Sequence, residues 1–300
     1  MACALALIAR GRPMKIVCDV LGVARSHVHV RVHRPTNWTD RRRNRRPGDD
    51  GDLVAEITTE IATLPSYGYR RAWTMVNRRR DGERRQRVNH KRIYRVMRDY
   101  RLLLRRHTGR PVDTRSHDGR IAVSESNRRW CSDGFEIACD NRERVRVAFA
   151  LDCCDREAMS WVATTGGISG NMVRDLMVEA IDTRFDGSGP TQPIEWLTDN
   201  GSPYIARDTR SFAREIGLEP LTTAIRSPQS NGMAEAFVKT FKRDYVERMD
   251  RCDALTVMRQ LTSAFEHYNE VHPHSALKML SPRMFRRRKA QLSVTTCPQK

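Results

Sequence analysis

Three acidic residues in this 300-residue chain stand in settings that suggest chemistry: Asp133, Asp199 and Glu235. Asp133 falls inside an apolar run between Trp130 and Phe135, where a carboxylate is costly unless something compensates it. Asp199 closes the run Trp196-Leu197-Thr198-Asp199 and is followed by Asn200-Gly201, a tight-turn pair. Glu235 follows a loop rich in Pro, Ser and Asn and opens a helical stretch, with Lys239 and Lys242 four and seven residues later on the same face. Carboxylates brought together from separate elements suit Mg²⁺, which prefers oxygen ligands and keeps waters for exchange, and Mn²⁺ is expected to substitute. Two such ions about 4 Å apart can activate the attacking oxygen and stabilise the leaving oxygen of a phosphodiester. Lys239 and Lys242 would then hold DNA phosphates. The chain carries 36 acidic residues, so spacing alone leaves a purely structural reading of each aspartate open.

The elements that must position these residues follow from periodicity. From residue 126 onward, strands alternate with helices. Strands are expected over 130–139, 144–151, 158–164, 194–199 and 218–223, and helices over 171–183, 206–216 and 233–246. The clearest strand sets Val145, Val147, Phe149 and Leu151 on one face and Arg144 and Arg146 on the other. Three strands, helix, strand, helix, strand, helix is an α/β order, and catalytic groups of such sheets tend to lie at strand ends.

The segments upstream are different. Residues 1–120 carry 29 Lys and Arg against 12 Asp and Glu, whereas residues 121–300 carry 25 against 24, so nearly all of the net charge of +18 lies in the first part. A polyanion is the natural partner of such a segment, because neutralising phosphates releases counterions. Short helices are expected over 4–9 and 14–21. Residues 24–33 fit a third helix, although the alternation of Val28, Val30 and Val32 fits a strand equally well. Further helices are expected over 53–63, from Tyr67-Gly68-Tyr69-Arg70-Arg71 to about residue 79, and from the Asn89 cap to about residue 104. In the last of these, Ile93, Val96, Met97, Tyr100 and Leu104 form an apolar stripe, with Lys91, Arg95 and Arg98 largely off it. Arg70, Arg71, Lys91, Arg95 and Arg98 are therefore candidate DNA contacts. The resulting division is a helix-turn-helix-like segment with a basic linker (1–46), a second helix-turn-helix-like module (52–108), a linker (109–122), a catalytic core (123–246) and a helical segment with a basic tail (247–300).

The residues around the three carboxylates also carry a resemblance. Trp130-Cys131-Ser132-Asp133, Thr198-Asp199-Asn200-Gly201-Ser202 and Ser227-Pro228-Gln229-Ser230-Asn231-Gly232-Met233-Ala234-Glu235 resemble motifs of the OrfB catalytic subunit of insertion-sequence transposases. Within the third-type insertion-sequence family the chain looks most similar to the second-type elements, and the family in turn resembles retroviral integrases. Thirty-five residues separate Asp199 from Glu235, as the D,D(35)E signature of these enzymes asks. Tyr268-Asn269, His272-Pro273-His274-Ser275-Ala276-Leu277 and Ser281-Pro282 resemble the family's C-terminal motif, and Tyr67-Gly68-Tyr69-Arg70-Arg71 its upstream helix-turn-helix. The resemblance spans roughly residues 10–285. It implies a ribonuclease-H-like core with a mixed central sheet and a catalytic triad of Asp133, Asp199 and Glu235 acting on double-stranded DNA through divalent metal. It also implies a homo-oligomer assembled on the element's terminal repeats, and a partner or frameshift fusion from an upstream frame, OrfA. The chain departs from the common pattern at Phe135, Ala236 and His272, where many members carry Thr, Ser and Arg; none of the three is a metal ligand.

Other residues admit two readings. Asp152 and Asp155 flank Cys153-Cys154 and fit either a second metal site or a turn after a strand. His272 and His274 fit either DNA contact or packing, and Arg286, Arg287, Arg288 and Lys289 either phosphate contact or a solvated end. The eight cysteines show neither CxxC pairs nor zinc-finger spacing, and no apolar run approaches membrane-span length, which points to a reduced, cytoplasmic protein that is nucleoid-bound when on DNA. The rival functions are a helix-turn-helix regulator with an inactive nuclease fold, and a plain nuclease that cuts without joining.

Overall fold

The computed structural model describes residues 1–35, 38, 50–105, 123–222 and 232–295. Most of the two segments read as linkers, and all of the loop 223–231 before Glu235, lie outside the described residues. The chain divides into two compact units, Met1–Asp52 and Leu53–Lys300.

The first unit contains helices α1 (Ala2–Ala9), α2 (Met14–Leu21) and α3 (Arg25–Val32). Gly22 ends α2 in the left-handed conformation (φ 59°), the usual way to stop a helix without a Cβ clash. The open reading of residues 24–33 is settled as a helix. Val28 is buried with Ala4, Val17 and Cys18, while Val30 and Val32 are exposed, so their alternation marks no common face.

The second unit opens with α4 (Gly51–Thr63), α5 (Tyr69–Gly82) and α6 (His90–Asp99), packed around Leu53, Ile57, Ala72, Val76, Ile93, Val96 and Met97. Asn89 caps α6 as expected, its side chain accepting from the Lys91 amide at 2.8 Å. The buried Asn77 side chain fixes the approach to α6 by bonding both the amide and the carbonyl of Val88. Helix α6 stops at Asp99 rather than near residue 104, because Arg101 turns to φ 58°.

The rest of this unit is built on a five-stranded mixed sheet of order β3-β2-β1-β4-β5. Strands β1 (Arg129–Ala138), β2 (Arg144–Asp152) and β3 (Ala158–Thr164) are antiparallel neighbours. Helix α7 (Gly170–Phe185) leads to β4 (Ile194–Thr198), which pairs parallel with β1. After the short α8 (Ser202–Ile205) and α9 (Arg207–Glu215), β5 (Leu218–Thr222) extends the sheet in parallel beyond β4. This is the ribonuclease-H-like arrangement expected from the sequence. Side chains alternate between two cores. One joins Trp130, Ala148, Ala150 and Trp196 to α7 and α9. The other joins Cys131, Phe135, Val147, Phe149 and Leu197 to α10 (Gly232–Asp244) and α11 (Ala254–Glu270). Phe237 and Phe241 of α10 sit between the sheet and α11, with ring centroids 4.4 Å from Phe149 and 4.5 Å from Phe265 respectively. Trp161 stacks flat on Phe265 at 5.1 Å. Helix α12 (Pro282–Thr295) closes the described chain.

Candidate active site

Strand parity decides where the two aspartates point. Asp133 lies two residues from both Cys131 and Phe135, whose side chains face α10, so its carboxylate emerges on that face. Asp199 has the same parity as Leu197, which faces α10 as well. The parallel register pairs Cys131 with Leu197; continued by two places it sets Asp133 beside Asp199, where β4 has ended and β1 runs on. Glu235 projects from the first turn of α10, the helix that covers this face.

Local bonds orient both aspartates. Asp133 Oδ1 accepts from the Gly134 amide at 2.7 Å, and Asp199 Oδ1 accepts from the Gly201 amide at 3.0 Å. A Cβ on Gly201 would lie 3.0 Å from Asp199 Oδ1 and 3.5 Å from the Tyr204 ring, so glycine leaves the carboxylate its place. Burial raises the Asp133 carboxyl above the usual carboxylate range; the Gly134 amide opposes this, and the charges of Asp199 and Glu235 add to it. The three carboxylates therefore act on one another electrostatically. No Lys or Arg among the described residues forms an ion pair with any of them. Nor, among those residues, are three Asp, Glu, His or Cys side chains drawn together as a ready-made metal cage. An open set of mutually repelling oxygen donors fits Mg²⁺, which takes one or two carboxylates and keeps several waters.

Sequence reasoning missed Tyr204. It stands on α8, five residues after Asp199, and its hydroxyl and the Ser132 Oγ are 2.9 Å apart. Burial, with Asp133 and Asp199 nearby, raises its ionisation well above that of an ordinary tyrosine, so it stays a neutral phenol tying the strand of Asp133 to the turn of Asp199. Its position inside the Asp199 turn was the available signal.

The basic candidates divide. Lys239 is exposed, and Lys242 Nζ lies 5.7 Å from the centroid of Phe135, on the side of the sheet where Asp133 emerges. Arg70, Lys91 and Arg98 are exposed, Arg98 pairing with its neighbour Asp99 at 2.8 Å, and Arg95 is partly buried. Arg71 departs from the expected open face: its guanidinium bonds the fully buried Asp244 at 3.0 Å.

The open readings close as well. Asp152 ends β2 and Asp155 lies in the turn that follows, so the turn reading holds, with the turn buried. Both are fully buried with Glu157, and Arg184 from α7 occupies the space between them, 2.8 Å from Asp155 and 3.3 Å from Glu157. His272 is packed inside, its Nδ1 3.1 Å from the Tyr67 hydroxyl, and burial drives its ionisation down to about 2, so the ring is neutral. Within the basic tail, Arg286 pairs with Glu157 and Arg287 with Glu270, each at 2.8 Å.

Comparison with known proteins gives the family. Residues 123–228 and 216–282 each match a family described as an integrase core domain, and residues 1–37 match the N-terminal domain of the IS2 transposase InsD. The InsD transposase of insertion element IS2A/D/F/H/I/K from Escherichia coli is 53% identical over 285 residues, 95% of this chain and 94% of the relative. The chain belongs to the InsD family of insertion-element transposases. InsD of element IS2-9 from Escherichia coli K12 is also 53% identical, over 92% of its length. Among solved structures, the catalytic core of BIV integrase overlaps 56% of this chain and 99% of its own at 14% identity and a TM-score of 0.40. The catalytic domain of Mos1 mariner transposase overlaps 47% and 70% at 13% identity and a TM-score of 0.38. No helix among the described residues is long and apolar enough to cross a membrane.

Proposed function

We infer that this InsD-family chain is the catalytic subunit that cleaves and joins the DNA ends of an insertion element, with Asp133, Asp199 and Glu235 holding divalent metal. One observation carries the reading: Asp133 on β1 and Asp199 just past the end of β4 face the helix that bears Glu235, and no cation among the described residues pairs with them. Mg²⁺ is the natural ion for such a donor set, and when bound it would activate the attacking oxygen and stabilise the leaving one. The rest falls to the chain. Gly134 and Gly201 orient the aspartates through their amides, Tyr204 ties their two elements together, and Lys239 and Lys242 offer positive charge to the phosphates beside the reacting bond. The freed 3′-hydroxyl serves as nucleophile for joining, so no protein nucleophile is required. The basic first 120 residues grip duplex DNA, with Lys91, Arg95, Arg98 and Arg70 contributing. The working form is a homo-oligomer on the terminal repeats, joined by an OrfA-type partner or fusion.

Incubation of the purified chain with labelled terminal-repeat duplex, target plasmid and Mg²⁺ tests this. Cleavage followed by covalent joining is the expected result. DNA binding without cleavage would show a regulator, and cleavage without joining a plain nuclease.

A further inference from the structure

The Tyr67–Arg71 motif belongs to a helical module that presents many arginines, yet the module spends those of α5 other than Arg70 on contacts within the protein. Arg71 bonds Asp244 at the end of α10, and its guanidinium also lies 5.3 Å from the Tyr67 ring. Arg78, two turns further along α5, donates to the carbonyls of Val271 and Met279 at 2.6 and 2.7 Å, which tie down the turn between α11 and α12. Tyr67 meets the neutral His272, and the Tyr245 hydroxyl lies 3.3 Å from the same ring nitrogen. Arg79 and Arg80 pair with Glu60 and Glu56 of α4. Asp244 is in addition held by its neighbour Arg243 and is fully buried, so removing Arg71 leaves a buried charge short of a partner. Helix α6 is different: Lys91, Tyr94 and Arg98 form an exposed stripe three and four residues apart, opposite the buried Ile93, Val96 and Met97.

Asp244 lies nine residues after Glu235 on one helix, about 13 Å along its axis. That helix is gripped between the sheet and α11 by Phe237 and Phe241. A contact at its far end is therefore rigidly connected to the triad. We propose that Arg71, Arg78 and Tyr67 form a latch that holds the helical module in one register against α10, so that duplex DNA carried on the α6 stripe meets the triad at a set spacing. The proposal rests on the DNA-cleaving reading above. Arg71 is on this account a positioning residue, and α6 is the helix that touches DNA.

The test uses the full chain, with Arg71→Met, Arg71→Lys and Arg78→Gln set beside the double variant Lys91→Ala/Arg98→Ala. Labelled terminal-repeat duplex and Mn²⁺ are the probes. The double variant is expected to lose duplex affinity and to bind with a shallower salt dependence. Arg71→Met is expected to keep both duplex and Mn²⁺ affinity, while cutting at the wild-type bond falls about tenfold or more and cuts scatter to neighbouring phosphodiesters. Arg71→Lys restores most of the single-site cutting. If Arg71→Met instead loses duplex affinity as the double variant does, Arg71 is a phosphate contact; if it cuts one bond at the wild-type rate, the latch sets no register. Amide exchange reads the latch without any cutting. Arg71→Met and Arg78→Gln should together speed exchange in α5 and in the α11–α12 turn while β1 and β4 stay protected, and unchanged protection would overturn the latch. A wild-type protein that never cuts would sink the functional reading and leave this exchange result to decide the latch.

Discussion

Two groups of three acidic side chains lie beside the same sheet and have opposite fates. At the end of β2, Asp152, Asp155 and Glu157 are fully buried and close around Arg184, with Arg283 and Arg286 of α12 reaching Glu157 from outside. Where β4 ends beside β1, Asp133 and Asp199 face α10 and its Glu235; a backbone amide bonds each aspartate, and no cation among the described residues pairs with any of the three. The first group contains its counter-charge in the sequence, and so its charge serves the fold. The second has no such counter-charge among the described residues, which is what the proposed metal site asks. A cluster of carboxylates is thus read by what stands between them rather than by its acidity.

Exchanging the roles of the two groups should break this contrast. The largest expected effect is Asp199→Asn, which should lower metal-dependent cleavage and joining on the order of 10³-fold, in the range for losing an electrostatic partner of a transition state. Thermal unfolding without metal should stay at or above the wild-type temperature, since one of three repelling charges is gone. Wild-type-like strand transfer by this variant would remove Asp199 from the site. Arg184→Met should do the reverse: with Asp152 and Asp155 stranded and Glu157 left to Arg283 and Arg286, the fold should lose about 3–5 kcal/mol in urea unfolding. A loss below about 1 kcal/mol would mean that the closed cluster contributes little.

Acid sharpens the comparison because one carboxylate of each group, Asp155 and Asp133, shifts in the opposite direction. Arg184, by charge and hydrogen bond, outweighs burial and holds the Asp155 carboxyl below its usual range; its stabilisation is present above the unfolded value and is lost as pH falls through the lowered one. Asp133 is raised, so its contribution is full below the unfolded value and is lost as pH rises through the raised one. Without metal, Asp133→Asn should therefore gain stability on wild type as pH climbs out of the acid range, whereas Asp155→Asn should fall further behind. Mg²⁺ should raise the wild-type melting temperature more at pH 7 than at pH 5; equal shifts would show that Asp133 does not titrate against the metal. The smallest effect is expected at Lys242. Lys242→Ala should lower joining about tenfold, near the value of one charge-assisted hydrogen bond, while Mn²⁺ affinity stays close to wild type and Lys242→Arg keeps partial activity. Lost Mn²⁺ binding in Lys242→Ala would make the lysine part of the metal site.

Much of this was legible because it depends on local periodicity. Alternation marks the strands and helical spacing aligns Glu235, Lys239 and Lys242, whereas the choice of Asp133 and Asp199 comes from the resemblance of the motifs around them. What escaped depends on contacts between distant segments. Arg71 and Asp244 are 173 positions apart, and Tyr67 and His272 are 205 apart, so neither partner marks the other in the sequence. Arg184 reads as one more basic residue near a helix end until its 1% side-chain exposure shows where it goes. The early end of α6 depends on a single positive φ at Arg101, a residue type with no preference for it.

The clasp between α12 and Glu157 has a practical consequence for shortening the chain. Arg283 and Arg286 are the outer partners of a carboxylate with no solvent access of its own. Trimming from the C-terminus should be harmless until it passes Arg286. Once Arg283 is also removed, expression yield and protease resistance should drop abruptly, although Asp133, Asp199 and Glu235 are still present.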